Sequence, residues 1–401
     1  MVWLRASQLC SKFWGDLLYN GCLLWLDDVL VHSPTLEGLL ELLQQVFQRL
    51  SEFGVKLSPA KCHLFMLEAK WCGRLISAEG VRQDPERLLA LQSYAKPESG
   101  DELQSFLAAL NWMRDHLPEY TGRTAVLNDL LNRGLASAPR RNKKAAQKLV
   151  LTELGWDSAC DRAWEDCRLM LQEAVTLAHP DPTLEVCVFS DASHTHWGAV
   201  ITQVPAEQMQ LPLREQVHQP LIFLSGAFRG SSLKWPIIDK EAYALIHTVR
   251  KCDYLLIRER GCHLFTDHRN LIYLFNPAGE GRSMGRPQAE RVQRWGWILM
   301  GLNYVIHHVP GEDNIWADML SRWMSRHQSV LSSAVYPVTH QGEDGVPSAV
   351  EEVSVVPAVS AQGGQGGGTA QAKLMQSTAA PVTELQLRHL QWLQWQLMYG
   401  L

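Results

Sequence analysis

Four acidic residues, Asp191, Glu241, Asp267 and Asp318, sit in local settings that restrict the fold of this chain more than any other feature. Asp191 closes an apolar alternating run, Val186-Cys187-Val188-Phe189-Ser190, and Asp267 closes a second short predicted strand. Glu241 lies early in a helical pattern and Asp318 in a later one. A fold that draws these groups into one place sets like charges at contact distance, where they cannot all stay ionised. Divalent cations resolve that conflict. Hard carboxylate oxygens suit Mg²⁺, with Mn²⁺ as the alternative, and two such ions roughly 4 Å apart clamp the attacking and leaving oxygens of a phosphodiester displacement. Asp is favoured at caps and strand-end turns in any protein, which accounts for one such residue but not for the set.

The surrounding segments carry a resemblance. Phe189-Ser190-Asp191-Ala192-Ser193, Trp235-Pro236-Ile237-Ile238-Asp239-Lys240-Glu241, Phe265-Thr266-Asp267-His268-Arg269-Asn270 and Pro310-Gly311-Glu312-Asp313-Asn314-Ile315-Trp316-Ala317-Asp318 resemble, in order, the ribonuclease H domain of Ty3/gypsy-type LTR retrotransposon polyproteins. The resemblance implies that Asp191, Glu241, Asp267 and Asp318 are catalytic metal ligands. It further implies that Asp191 bridges two Mg²⁺ ions, Glu241 and Asp267 complete the shell of one, and Asp318 holds the other. The implied substrate is an RNA:DNA hybrid cut in its RNA strand. Discrimination for RNA then rests on the 2′-hydroxyl and duplex shape, with Ser193, His194, Trp235, His268, Arg269 and Asn270 beside the site in sequence.

A second resemblance lies upstream. Leu24-Trp25-Leu26-Asp27-Asp28-Val29 is similar to the central palm motif of retroviral-type reverse transcriptases, with Trp25 where that family usually has Tyr. Gly54-Val55-Lys56-Leu57-Ser58-Pro59 and Trp71-Cys72-Gly73-Arg74 match the strand and primer-grip region, making Trp71 and Gly73 nucleic-acid-binding candidates. Polymerisation needs a third carboxylate on a neighbouring strand. The only acid ahead of Asp27 is Asp16, in a segment that reads as helix. The expectation is a truncated palm whose polymerase site is inactive by itself, complemented, if at all, by missing upstream polyprotein parts or a second subunit.

Composition adds bounds. The 401 residues suffice for two or three domains, and the 46% apolar share is that of a globular protein. A net charge of -5 argues against a generic nucleic-acid coat. One local exception runs through Arg133, Arg140, Arg141, Lys143, Lys144 and Lys148, with no acid between Asp129 and Glu153. A phosphate-tracking patch and a solvated linker both fit it. Nine scattered cysteines without a Cys-x-x-Cys read as buried thiols in a reducing compartment. With no membrane-spanning run or signal peptide, the expected location is intracellular, in a cytoplasmic retroelement particle with access to the nucleus.

The predicted order is α/β (α+β). Residues 1–82 form a partial palm: two strands about Asp27 and Asp28, a helix from Ser33-Pro34 to Gly54, and a second hairpin about Leu64-Phe65-Met66 and Trp71. Residues 83–182 form a helical thumb and connection region, with a cap at Asp84-Pro85, a capping box of Ser99 and Glu102, and a helix near Trp164 to Glu173. Residues 183–325 form a ribonuclease H-like mixed five-stranded sheet with flanking helices. A Gly-rich, low-complexity tail over 326–401 reads as disordered, ending in an amphipathic segment from Glu384 to Met398. His307 and His308 precede the Pro310-Gly311 loop, where a general acid and a hydrogen-bonded structural residue are the two readings, and the second is the commoner. A non-catalytic nucleic-acid-binding remnant of a retroelement polyprotein is the alternative function.

Overall fold

The computed structural model of the chain describes residues 13–18, 20–25, 28–136, 143–275 and 286–310, without the side chains of 273, 274 and 286–292. Asp27, Arg140, Arg141, Asp318 and the 326–401 tail lie outside the described residues. At the N-terminal end, β1 (Cys22–Trp25) pairs antiparallel with β2 (Asp28–Val31), Trp25 standing opposite Asp28. Helix α1 (Leu36–Glu52) follows, and its cap differs from expectation. Thr35, not Ser33, accepts the Gly38 amide at 3.1 Å, which leaves Pro34 ahead of the helix rather than in its first turn. Gly54 (φ +66°) ends it as the sequence predicts. Of the apolar residues at helical spacing along it, Leu50 packs with Val46 on Trp14, Leu17 and Cys22, while Leu36, Leu40 and Phe47 are exposed.

The second hairpin is one element larger than its sequence suggests. Strands β3 (Glu68–Trp71), β4 (Arg74–Ser77) and β5 (Gly80–Gln83) make a three-stranded antiparallel sheet, and Leu64, Phe65 and Met66 remain in an exposed loop. Positive φ at both Cys72 (51°) and Gly73 (73°) gives the two-residue turn whose twist matches paired strands. Trp71 packs with Leu23, joining this sheet to the first hairpin.

Next come α2 (Pro85–Gln92), capped by Asp84, and α3 (Gly100–Trp112), whose capping box forms as the sequence predicts. Helix α4 (Tyr120–Ala136) carries no cap signal, because it starts after Glu119 in a left-handed conformation (φ +54°). A short helix, α5 (Lys143–Gln147), falls in the basic stretch. Helix α6 (Ser158–Gln172) begins six residues before Trp164, because the Asp157 carboxylate accepts two amides there. Leu103, Phe106, Leu110, Leu127, Leu130, Trp164 and Met170 form the shared core of these helices.

The third region is a five-stranded mixed sheet in the order β10-β9-β6-β7-β8. Strands β6 (Glu185–Ala192), β7 (His196–Val204) and β8 (Gln219–Ala227) run antiparallel in sequence order. Strands β9 (Cys262–Thr266) and β10 (Tyr304–His308) run parallel to β6. Helix α7 (Ile237–Lys251) covers one face with Ala244, Leu245 and Val249, aided by α8 (Asp253–Leu256), α9 (Arg269–Phe275) and α10 (Arg286–Leu299). The opposite face buries Phe189, Val200, Phe223 and Phe265 beneath Leu177, Met209 and Leu213.

The three regions share backbone contacts. Val81 of β5 exchanges hydrogen bonds with Leu177 (2.8 and 2.9 Å), and the Ala178 amide donates to the Pro220 carbonyl at 2.8 Å. The Thr121 amide donates to Ser225 Oγ at 3.1 Å, and Arg114 donates to the Ser225 carbonyl at 2.9 Å. Among the described residues, no helix is long and apolar enough to cross a membrane. Eight of the cysteines are described and all are free thiols, six of them buried.

Candidate metal centre

Strand register brings the first two carboxylates together. Parallel β6 and β9 pair Phe189 with Phe265, so Asp191, two residues further along β6, and Asp267, just past the end of β9, come to the same end of the sheet. Side chains alternate along a strand, so Asp191 takes the direction of the Phe189 ring, which stacks on Phe265 at 4.5 Å, and Asp267 follows directly after β9. Helix α7 brings Glu241 to the same end from the other side, in its second turn. One carboxylate oxygen from each of Asp191, Glu241 and Asp267 lies within 4.8 Å of the others, the single such group of three among the described residues.

Glu241 is buried, whereas Asp191 and Asp267 keep access to solvent. Its Oε1 accepts the Ala192 amide at 3.0 Å, and its Oε2 is buried with no N–H donor among the described residues, the Asp191 carboxyl being the side chain against Glu241. Burial first, and then the charges of Asp191 and Asp267, push the Glu241 carboxyl up to about 9, against 4.5 ordinarily. A polar atom left unpaired in the interior costs about 1–3 kcal/mol, more when charged. A hard divalent cation supplies the missing countercharge, and three carboxylates are the donor set that Mg²⁺ prefers. The residues present therefore fit such an ion.

The neighbours divide by what they touch. His308 Nε2 lies 3.1 Å from the Asp267 carbonyl oxygen. His307 bonds His263 across the sheet (2.9 Å) and stacks on Phe265, the structural reading of the two. Arg269 and Asn270 are exposed at the start of α9, directly after Asp267 and His268. Ser193 is exposed, but its hydroxyl is engaged in the turn, donating to the His196 carbonyl at 3.0 Å. Trp235 packs edge-on against Tyr243 (5.7 Å) and Trp295 (6.1 Å). Lys143 and Lys144 of the basic stretch are exposed on α5.

Two upstream candidates read differently once folded. Trp71 is 7% exposed, so its ring serves the core and not a nucleic-acid surface, and Gly73 serves the β3–β4 turn. Asp28 is exposed opposite Trp25, and the Cys72 thiol, raised to about 12 mainly by burial, also feels its charge.

Sequence reasoning missed two residues. Lys240, quoted above within the segment leading to Glu241 but given no role, is 1% exposed, immediately before Glu241. Glu119 belongs to the helical region, yet its carboxyl, raised to about 7 first by burial, also feels Asp191 and Glu173 against the pull of Arg123. Arg123 holds Glu173 at 2.8 Å. Nothing in the local sequence signals either placement, because both depend on how the regions pack.

Residues 181–302 match the RNase H-like domain found in reverse transcriptase, and residues 5–82 match reverse transcriptase (RNA-dependent DNA polymerase). The transposon Tf2-3 and Tf2-7 polyproteins of Schizosaccharomyces pombe are each 24% identical over 342 residues, covering 85% of this chain and 23% of theirs. The chain thus spans about a quarter of the length of these relatives. Among solved structures, the foamy viral protease-reverse transcriptase in complex with RNA/DNA hybrid superposes with a TM-score of 0.57 at 17% identity, over 85% of this chain and 40% of that one. A second structure of that enzyme, dRH with double-stranded DNA, gives 0.57 at 19% identity over 75% and 48%. At such identities the likeness is one of fold.

Proposed function

We propose that this chain, which carries a partial reverse transcriptase segment joined to the RNase H-like domain of a Ty3/gypsy-type retrotransposon polyprotein, hydrolyses the RNA strand of RNA:DNA hybrids with divalent metal. The observation that carries the reading is the convergence of Asp191, Glu241 and Asp267, with one buried Glu241 oxygen left without an N–H donor among the described residues. These three residues would hold Mg²⁺, with Mn²⁺ as a substitute, and Asp318 is proposed as a fourth ligand on the strength of its sequence motif. When bound, a pair of such ions supplies an activated water and neutralises the leaving 3′ oxygen.

The chain's own residues supply positioning. The Ala192 amide fixes the rotamer of Glu241, so one ligand oxygen is set before any cation arrives. Burial of Glu241 excludes water behind the site, while Asp191 and Asp267 remain open on the side a duplex would approach. Arg269 and Asn270, exposed beside Asp267, suit contact with phosphates and the 2′-hydroxyl. The solved foamy viral complex with RNA/DNA hybrid supports a hybrid as the partner of this fold. The polymerase half is partial, and we assign it no activity alone.

The test is cleavage of an end-labelled RNA:DNA hybrid in Mg²⁺ by the wild type, Asp191→Asn and Glu241→Gln. Loss of a ligand is expected to lower the rate by at least about 100-fold, or ~2.7 kcal/mol in the barrier. Equal cleavage by all three would reject the site. Hybrid binding by the wild type with no cleavage would favour the non-catalytic remnant.

A further inference from the structure

Lys240 and Glu241 are consecutive on α7, and both grip the turn that follows Asp191. Glu241 accepts the Ala192 amide at 3.0 Å, while Lys240 Nζ donates to the His194 carbonyl at 2.7 Å. The same ammonium donates to the Leu233 carbonyl at 2.9 Å, in the segment leading to Trp235. It also stands 5.4 Å from the Phe228 ring, and the Phe228 amide donates to the Thr195 carbonyl at 2.8 Å. One side chain therefore joins three segments: the turn after β6, the end of β8 and the approach to α7.

Lysine is almost never fully buried without compensation, because removing its ammonium from water is costly. Packing alone would be served better by methionine or leucine. What the ammonium adds is charge-assisted bonding to carbonyls that have no regular strand or helix partner at that point. The turn itself is internally tied, with the Ser193 amide on the His196 carbonyl (2.8 Å) and Ser193 Oγ accepting the His196 amide (3.0 Å). A rigid turn held at both Ala192 and His194 leaves Asp191 little freedom relative to Glu241. We propose that Lys240 is a positioning residue for the carboxylate site, fixing the Asp191 turn and the Trp235 approach at one spacing across α7. This inference rests on the hydrolytic reading of that site.

The experiment uses the full chain with Lys240→Met, a neutral side chain of similar length. Steady-state cleavage of the hybrid in Mg²⁺ is read alongside amide hydrogen exchange over residues 192–196. Misplacement near a reacting centre costs up to about 100-fold, so kcat is expected to fall about 10- to 100-fold with KM for hybrid within about threefold. Exchange over the turn is expected to quicken. A folded Lys240→Met with kcat within about twofold of wild type, or with unchanged exchange over 192–196, overturns the proposal. If that variant does not melt cooperatively, Phe228→Leu replaces it, withdrawing the ring that packs against both the ammonium and Tyr243. A roughly threefold lower kcat with faster exchange is then expected, and unchanged exchange overturns the proposal. Failure of the wild type to cleave would defeat the hydrolytic reading, while the exchange comparison would still decide whether Lys240 holds the turn.

Discussion

Glu241 concentrates the electrostatic strain of the carboxylate cluster. Without a cation, its carboxyl titrates near 9 in the folded chain and near 4.5 ordinarily, so the folded state holds a proton that the unfolded state has released. Stability from this group is complete below the lower value and is lost as pH rises through the higher one. Glu119, raised to about 7, acts with the same sign. In chelator, the melting temperature is therefore expected to fall between about pH 5 and pH 9, and Glu241→Gln is expected to flatten that fall. Added Mg²⁺ should raise the melting temperature most at the alkaline end, because it binds the ionised form. A wild-type profile that is flat in chelator and unmoved by Mg²⁺ would remove the electrostatic case for a metal.

Several elements were legible from local signals. Asp84-Pro85, the Ser99 and Glu102 pair, and the alternating run into Asp191 each produce the expected element, because caps and periodicity act within a few residues. Failures occur where tertiary neighbours decide. Along α1, Leu36, Leu40 and Phe47 are exposed while Val46 and Leu50 are buried against Trp14, Leu17 and Cys22. Strand β5 gave no local signal, and a contact from distant chain holds it. Gly80, at φ +141°, comes so close to Leu177 that an added Cβ would lie 2.2 Å from its carbonyl oxygen. Gly80→Ala is thus expected to destabilise by more than about 1 kcal/mol, read as a lower urea midpoint with little change in slope. An unchanged midpoint would mean that the β5–Leu177 contact does not form in solution.

Across the whole molecule, a buried polar cluster links the three regions. Asp115 is 1% exposed and Arg74 is 4% exposed, and the two come from the helical region and β4 respectively. Burial raises the Asp115 carboxyl and lowers the Arg74 guanidinium, and each group's charge opposes the other's shift. Lys251 of α7 adds a second cation acting on Asp115. The two act on each other by charge without a direct hydrogen bond, and removing Asp115 takes away the charge that opposes the desolvation of Arg74, so Asp115→Ala is expected to destabilise the fold by about 1–3 kcal/mol. Joint replacement, Arg74→Met with Asp115→Leu, is expected to recover most of that loss in a double-mutant cycle. Additive losses would show that the two charges do not interact.

The sequence by itself singled out the acidic residues, the strands and helix that carry three of them, and the resemblance of two segments to reverse transcriptase and RNase H-like domains. These are local patterns of hydrophobic period, capping and motif order. Only the tertiary structure decided that Asp191 and Asp267 meet Glu241, that Trp71 is core, and that Lys240 is buried against two carbonyls. Those outcomes depend on strand pairing and inter-region packing between residues far apart along the chain, which no window of neighbouring residues encodes.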